Sequence, residues 1–417
     1  MPDSPRTSNR RRYVIGATTF MNLVLMYGVW YGYSVLLLAL LHDFGWSRSV
    51  VSGAFSTFVL THGLLAPIIG WMLDRFGPRR LVIIGSAVIA LGLFCMSYTT
   101  VWWHLYLSFG VIVAVGISLG AYLPSVALAR GWFPQTVGTA VGVISGGIGV
   151  SIFAMIPLLQ FLIDSYGWRT AYRLLAILVI GWAVPTALLL LRDPPVTEAP
   201  LVVQRTASNP VDRQPVWTLA LAARNWHFWG LAAVYFTGNY VTQMLLIHQV
   251  AYLVDHGITP MTAAIVGGVA GMVSVGAKVG WGAFSDRSGR ELAYTLAFLC
   301  VLASIGVLVL AGWYPTSSFS IWYAILIGLG YAAMSPIPPA AISDIFGGPT
   351  FSRIFGAAYV FGGLGLASGT WSAGKIFDLT GSYAGALWLG VLMTLVSPIL
   401  LWLAAPRRAR RNSFSGS

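Results

Sequence analysis

The sequence predicts an all-α membrane protein of twelve transmembrane helices, divided six and six. Three observations carry the prediction. Hydrophobic residues make up 57% of the chain and charged residues only 9%; an apolar rhythm recurs along all 417 residues; and one polar, proline-rich stretch interrupts it near the middle. Ordinary globular proteins carry roughly 25% charged residues, so this chain lacks the charge to cover a soluble surface. Twelve helices of about 22 residues, each long enough to cross a hydrocarbon core of roughly 30 Å, occupy about 264 positions. The remainder suits short loops, two tails and a linker.

The first span runs over 14–41. It follows a basic start (Arg6, Arg10, Arg11, Arg12) and exceeds the 7–15 apolar residues of a cleaved signal, so it is expected to be retained. Hydropathy and punctuation place the others at 49–73, 80–99, 103–129, 136–163, 170–191, 226–254, 261–285, 292–312, 319–343, 353–377 and 384–404. Residues 192–225 carry Pro194, Pro195, Pro200, Pro210 and Pro215 among polar residues and read as a linker. The expected organisation is therefore 1–191, linker 192–225, and 226–417 with a basic tail. With the N-terminus inside, nineteen arginines fall on the inner side, and only Arg48, Arg169 and Arg173 outside. That asymmetry predicts cytoplasmic termini in a cell membrane. It also explains the net charge of +12 without nucleic acid, leaving attraction to membrane lipid as a by-product. Cys95 and Cys300 lie in apolar stretches and imply no disulfide.

The loop after the second span reads Gly70-Trp71-Met72-Leu73-Asp74-Arg75-Phe76-Gly77-Pro78-Arg79-Arg80. The loop after the eighth repeats it as Gly282-Ala283-Phe284-Ser285-Asp286-Arg287-Ser288-Gly289-Arg290. Gly70 and Gly282 are expected to permit close helix approach, and Gly77 and Gly289 a tight turn. Asp74 and Asp286 offer acceptors near a helix end; Arg75, Arg79, Arg287 and Arg290 suit headgroups or helix carboxyl termini. Two copies at equivalent points of a six-plus-six chain resemble the major facilitator superfamily over the whole length. The resemblance implies two six-helix bundles related by a pseudo-two-fold axis, a substrate site at the midplane, rocking alternating access and a gating role for these loops.

Further phrases are similar to the bacterial carboxylate-transporting branch, the monocarboxylate transporters and oxalate/formate exchangers. They are Phe44-Gly45-Trp46-Ser47-Arg48, Arg130-Gly131-Trp132-Phe133-Pro134, Tyr166-Gly167-Trp168-Arg169, Ser343-Asp344-Ile345-Phe346-Gly347 and Asp378-Leu379-Thr380-Gly381.

Only two lysines stand against 22 arginines, and both fall within spans. Lys278 lies eight residues from Asp286, about 12 Å deep at 1.5 Å per residue. An ionised group there costs at least about 2.5–3.5 kcal/mol unless paired. Either its stem snorkels to the inner edge, or the amine faces a cavity and pairs with an anionic substrate. The resemblance favours the second, since it places a substrate-binding arginine at this position. The chain departs from it by carrying lysine here, Ser274 where proton-coupled members have aspartate, and no lysine on span one.

Lys375 suits an i,i+3 pair with Asp378, or an outer cation involved in proton coupling. His248, with Asp255 at the end of its helix, is the leading proton carrier by side-chain chemistry, and His62 is second. Tyr27 and Tyr31 share one helical face; Tyr122 and Tyr331 join them as candidates whose hydroxyls could hold a carboxylate while rings hold its apolar part. Asn22, Ser118, Gln160, Asn239 and Gln243 are further polar residues within spans. No phosphate-cradling Gly-Lys-Ser/Thr loop, metal-ligand spacing or nucleophile set is present, so neither a cofactor nor an enzyme activity is expected. The expectation is a monomeric secondary transporter of small organic anions in a bacterial inner membrane, by proton symport or carboxylate exchange. The alternatives are a proton-driven exporter of amphipathic or drug-like compounds, and a non-transporting membrane receptor.

Overall fold

In the computed structural model the described residues are 5–133, 136–193, 217–347 and 350–404. They form helices joined by short turns, with no strand among them. Ten stretches are long and apolar enough to cross a membrane. One of these, Ala140–Leu189, is two helices, because Gly167 within it takes φ 76° and ψ 155° and turns the chain. The remaining span, seventh in chain order, is the thirty-residue helix Trp226–Asp255, whose hydropathy is lowered by Asn239, Gln243, His248 and Gln249. Six spans thus precede residues 194–216 and six follow. Most of the expected linker lies outside the described residues. Its last part departs from expectation: Leu219–Arg224 is a short helix, begun by Thr218 accepting from the Leu221 amide.

Among the described residues six glycines adopt positive φ: Gly45, Gly77, Gly167, Gly257, Gly289 and Gly381. Glycine reaches this region without the Cβ clash that other residues meet. They form three pairs at equivalent turns, after spans one and seven, two and eight, five and eleven, each pair about 212 residues apart. The repeat first visible in one loop therefore extends to three turns of the backbone.

Around Gly77, the chain is tied by Arg79. Its guanidinium donates to the carbonyls of Ala187, at 3.0 Å, and Leu188, and its amide donates to Asp193 at 2.9 Å. Terminal carbonyls of a helix are unpaired and partly negative, so a cation there satisfies and offsets them. Arg290 plays a related part in the second half, bonding Asp286, Ser285 at 2.7 Å and Asp344 at 3.2 Å. Arg79→Ala is expected to cost about 1–2 kcal/mol, read as a lower midpoint of thermal unfolding in detergent. An unchanged midpoint would refute the capping role.

Among the other motif positions, Gly70 departs from expectation. A Cβ on Gly70 would meet nothing within 4 Å, so no neighbouring helix approaches it closely; at Gly282 it would stand 3.6 Å from Pro336, ordinary contact. Arg75 and Arg287 are exposed, and Arg75 lies 5.5 Å from the Trp71 ring centre. The side chain of Asp74 lies outside the described part.

The sixth span ends and the seventh begins on one face, here the linker face; the opposite is the far face. On the far half of the molecule, spans five and eight cross tightly. A Cβ on Gly268 would stand 2.9 Å from the Phe153 carbonyl, and one on Gly271 would overlap Ile152. Spans two and eleven meet likewise: the Ser56 hydroxyl donates to the Ala367 carbonyl at 2.7 Å.

Candidate functional site

Three spans are interrupted beside a tyrosine. The first divides into Pro5–Tyr31 and Tyr33–Phe44, and the Tyr172 hydroxyl donates to the Gly32 carbonyl at the break, at 3.0 Å. The fourth contains a π-helical stretch, Tyr106–Val113, and breaks again at Ala121 (φ −91°, ψ −105°), after which Tyr122 opens a new helix. The tenth divides into Ser317–Ala332 and Ile337–Phe346, just beyond Tyr331. Membrane helices break only where neighbouring groups or water re-satisfy the freed backbone, and such breaks mark the sites of many transporters.

Between these breaks lies Lys278, on the eighth span, Pro260–Ser288. Ser274, Lys278 and Trp281 are i, i+4 and i+7 and share one face, and the tenth span meets that face. The Tyr331 hydroxyl donates to Ser274 at 2.7 Å, and Ser274 passes its own hydrogen to the Gly271 carbonyl. The Trp281 indole donates to the Leu329 carbonyl at 2.8 Å. The Lys278 ammonium sits 5.8 Å from the Tyr331 ring centre, in reach of a cation–π attraction. Lys278 makes no ion pair among the described residues. Its amine therefore turns toward buried Tyr331, and no acid among the described residues neutralises it.

The other tyrosines complete the wall. Tyr27 and Tyr31 stack at 6.3 Å, and Trp30 lies 5.8 Å from Tyr27. The phenols of Tyr27, Tyr31, Tyr122, Tyr331 and Tyr359 lie within electrostatic range of one another, across both halves. Tyr122 and Tyr359 are 39% and 43% exposed although other phenols surround them. That combination belongs to the lining of an open cavity. Among the described residues the hydroxyls of Tyr27, Tyr31, Tyr122 and Tyr359 have no hydrogen-bond partner, so they stand ready for a ligand. Tyr359 is the member that sequence reasoning missed; nothing local marks it out from the other aromatic residues on apolar helices. His62 stands next to this set, its Nδ1 2.8 Å from Ser118 and its ring 5.3 Å from that of Trp30.

His248 and Lys375 are elsewhere. His248 is buried on the far half, bonded to Tyr383 at 3.0 Å and to the Thr370 carbonyl at 2.9 Å. Burial pushes the Tyr383 phenol well up from its ordinary value, against the pull of Arg48, so it stays neutral. Lys375 is exposed, and its expected pair with Asp378 does not form. Asp378 instead accepts the amides of Arg48 and Ser49, both at 2.8 Å. A carboxylate at a helix N-terminus gains these unpaired donors and the helix dipole, which outweighs an exposed lysine pair. Among the described residues no group of three or more His, Cys, Asp or Glu could hold a metal ion.

The far face is closed by contacts between the halves. Arg48 donates to Tyr383 at 2.7 Å and pairs with Asp255 at 2.7 Å, and its guanidinium lies 3.8 Å from the Phe377 ring centre. On the linker face, polar contacts of the described residues stay within each half, as at Arg79 and Arg290. The described polar contacts that tie the two halves together at an end of the spans thus lie on the far face.

Residues 19–338 match the Major Facilitator Superfamily. Among similar proteins, monocarboxylate transporter 13 of Rattus norvegicus is 28% identical, covering 92% of this chain and 88% of its own. An uncharacterised MFS-type transporter of Bacillus subtilis, YcxA, is 21% identical, with 91% of each chain covered. Solved structures share the fold. A D-xylose–proton symporter superposes with a TM-score of 0.73 at 15% identity, over 94% of this chain and 97% of the other. A bacterial homologue of the human lysosomal transporter Spinster gives 0.72 at 15% identity, over 96% and 97%.

Proposed function

Because the chain belongs to the Major Facilitator Superfamily, we propose that it is a secondary transporter that carries small monocarboxylates by alternating access. Lys278 is the observation that carries this reading: a cation without an acid partner among the described residues, beside a wall of unpartnered phenol hydroxyls. A carboxylate entering from the linker face meets the ammonium, and hydroxyls of Tyr27, Tyr31, Tyr122 and Tyr359 complete its hydrogen bonds. The pair is nearly neutral, and a neutral pair crosses into a closed cavity at lower cost than either ion alone. The empty carrier, with a bare charge, closes less readily, which links movement of the protein to movement of the anion. One cation suits one carboxylate; a dicarboxylate would bring a second, uncompensated charge. The names of the monocarboxylate relatives point the same way. The arginine asymmetry supports a cytoplasmic linker face, and the proposal places the protein in a bacterial cell membrane.

Counterflow into proteoliposomes over monocarboxylates, dicarboxylates and organic cations tests the proposal. Monocarboxylates are expected to exchange at least about 10-fold better than dicarboxylates, one unbalanced charge being worth roughly 1.4 kcal/mol or more in a partly desolvated site. Cations should not exchange. Preferred exchange of amphipathic cations would instead support the exporter reading, and binding without exchange the receptor reading.

A further inference from the structure

The closed far face contains a chain of hydrogen bonds whose donors and acceptors can be assigned. His248 is 4% exposed and both ring nitrogens are engaged. The Thr370 carbonyl can only accept, so Nε2 of His248 carries the hydrogen. The bare Nδ1 of the neutral ring then accepts from the Tyr383 hydroxyl. The Tyr383 oxygen in turn accepts from Nη1 of Arg48 at 2.7 Å. Arg48 opens the second span, in the first half of the chain; His248, Thr370 and Tyr383 belong to the second half. One phenol therefore joins a buried imidazole to the arginine that ties the two halves together.

The charged and titratable groups around His248 come from each neighbouring element. They are Arg48 from the second span, Asp378 from the eleventh and Tyr383 from the turn before the twelfth. Its own helix adds Tyr252, 5.9 Å from the Tyr383 ring, and Asp255. Both carboxylates already accept hydrogen bonds, Asp255 from the Arg48 guanidinium and Asp378 from the amides of Arg48 and Ser49.

We propose that Nδ1 of His248 is a proton-binding site, and that a proton arriving there releases the far face. With the proton added, the ring has two N–H donors and no acceptor. Tyr383 can no longer donate to it. The hydroxyl must turn its hydrogen away while its oxygen faces two donors, the imidazolium and the guanidinium. The imidazolium also stands one oxygen away from a like charge. Both effects weaken the hold of Arg48 on the second half, so the far face is closed when His248 is neutral and opens as the pH falls. The inference goes beyond the carboxylate reading and does not require it, because gating can be measured without substrate.

Paired spin labels at His42→Cys and Leu379→Cys, both exposed and on opposite halves of the far face, report the opening once Cys95 and Cys300 are replaced. In proteoliposomes without substrate, lowering the pH from about 8 to about 4 is expected to populate a longer distance. His248→Gln, which keeps a polar amide but takes up no proton, should hold one distribution at both pH values. A pH-independent distance in the labelled parent, or an unchanged shift in His248→Gln, would overturn the proposal. Should His248→Gln fail to fold, Tyr383→Phe decides: it keeps the imidazole and removes the bridge, so the shift should vanish, and its persistence refutes the mechanism. Loss of carboxylate counterflow with the pH-driven opening intact would count against Lys278 and leave this gate standing.

Discussion

Lys278→Met is expected to raise the half-saturating carboxylate concentration by about 10- to 150-fold, the equivalent of the roughly 1.5–3 kcal/mol carried by a hydrogen bond to a charged group. Methionine keeps the length and apolar volume of the stem, so the loss isolates the charge. Lys278→Ala should lose at least as much, because it also opens space beside Tyr331. Lys278→Arg should retain transport: the guanidinium restores the charge and offers two parallel donors to a carboxylate. Concentration dependence of uptake into proteoliposomes distinguishes these outcomes. Wild-type uptake by the methionine variant would remove Lys278 from the site. Wild-type binding with lost turnover would instead place its role in closure, where the bare charge must be carried into a narrowing cavity.

Gly271→Val is the second substitution expected to have a large effect. A Cβ at this position would overlap Ile152 and press on the Gly149 carbonyl 3.0 Å away. Neither obstacle is the free end of a flexible side chain, so spans five and eight must separate. Overpacking of this kind costs about 1–3 kcal/mol. Because these spans belong to opposite halves and touch along the far half of the molecule, the cost falls mainly on the state with a closed far face. A penalty of about 1–3 kcal/mol moves the balance between two states by about 5- to 150-fold. The measurement is the rate at which a water-soluble thiol reagent modifies Ser52→Cys, a position fully buried against span eleven, with Cys95 and Cys300 replaced. Modification should accelerate in Gly271→Val and remain unchanged in Gly181→Val, whose exposed glycine meets no neighbour within 4 Å. Equal rates in both variants would refute a seam at Gly271.

The spans were legible because hydrocarbon imposes length and composition on every helix that crosses it. Even Trp226–Asp255, the most polar of them, stood out between its flanking turns. The loop repeat marked the Gly77 and Gly289 turns; Gly45 with Gly257 and Gly167 with Gly381 share only an aspartate two or three residues earlier, a signature too short to stand out before the coordinates showed the matching turns. The break after Tyr331 is marked in the sequence by Pro336, Pro338 and Pro339, whereas those at Gly32 and Ala121 were not legible. They depend on partners far along the chain, such as the Tyr172 hydroxyl at the Gly32 carbonyl, and a hydropathy average runs straight through them. Lys278 was readable from cost alone, since an amine at that depth requires a reason. Tyr27, Tyr31, Tyr122 and Tyr331 lie in one neighbourhood, and Tyr359 joins them through the tertiary arrangement of span eleven. His248 was marked by its chemistry and not by its neighbours: its place in the far-face network depends on Tyr383 and Arg48, 135 residues after it and 200 before.

The polarity of the seventh helix bears on how the chain is made. Asn239, Gln243, His248 and Gln249 crowd its middle, and helices enter lipid from the translocation machinery largely according to their hydrophobicity. The partners that offset this polarity arrive late. His248 bonds Thr370 and Tyr383, and Tyr240 bonds Ser372, each partner synthesised more than 120 residues after the residue it bonds. A nascent chain halted before the eleventh span would leave the seventh without these bonds in hydrocarbon. Biogenesis of the second half is therefore a late, collective event, in which the helix forming one side of the far-face closure settles only when the last two spans emerge.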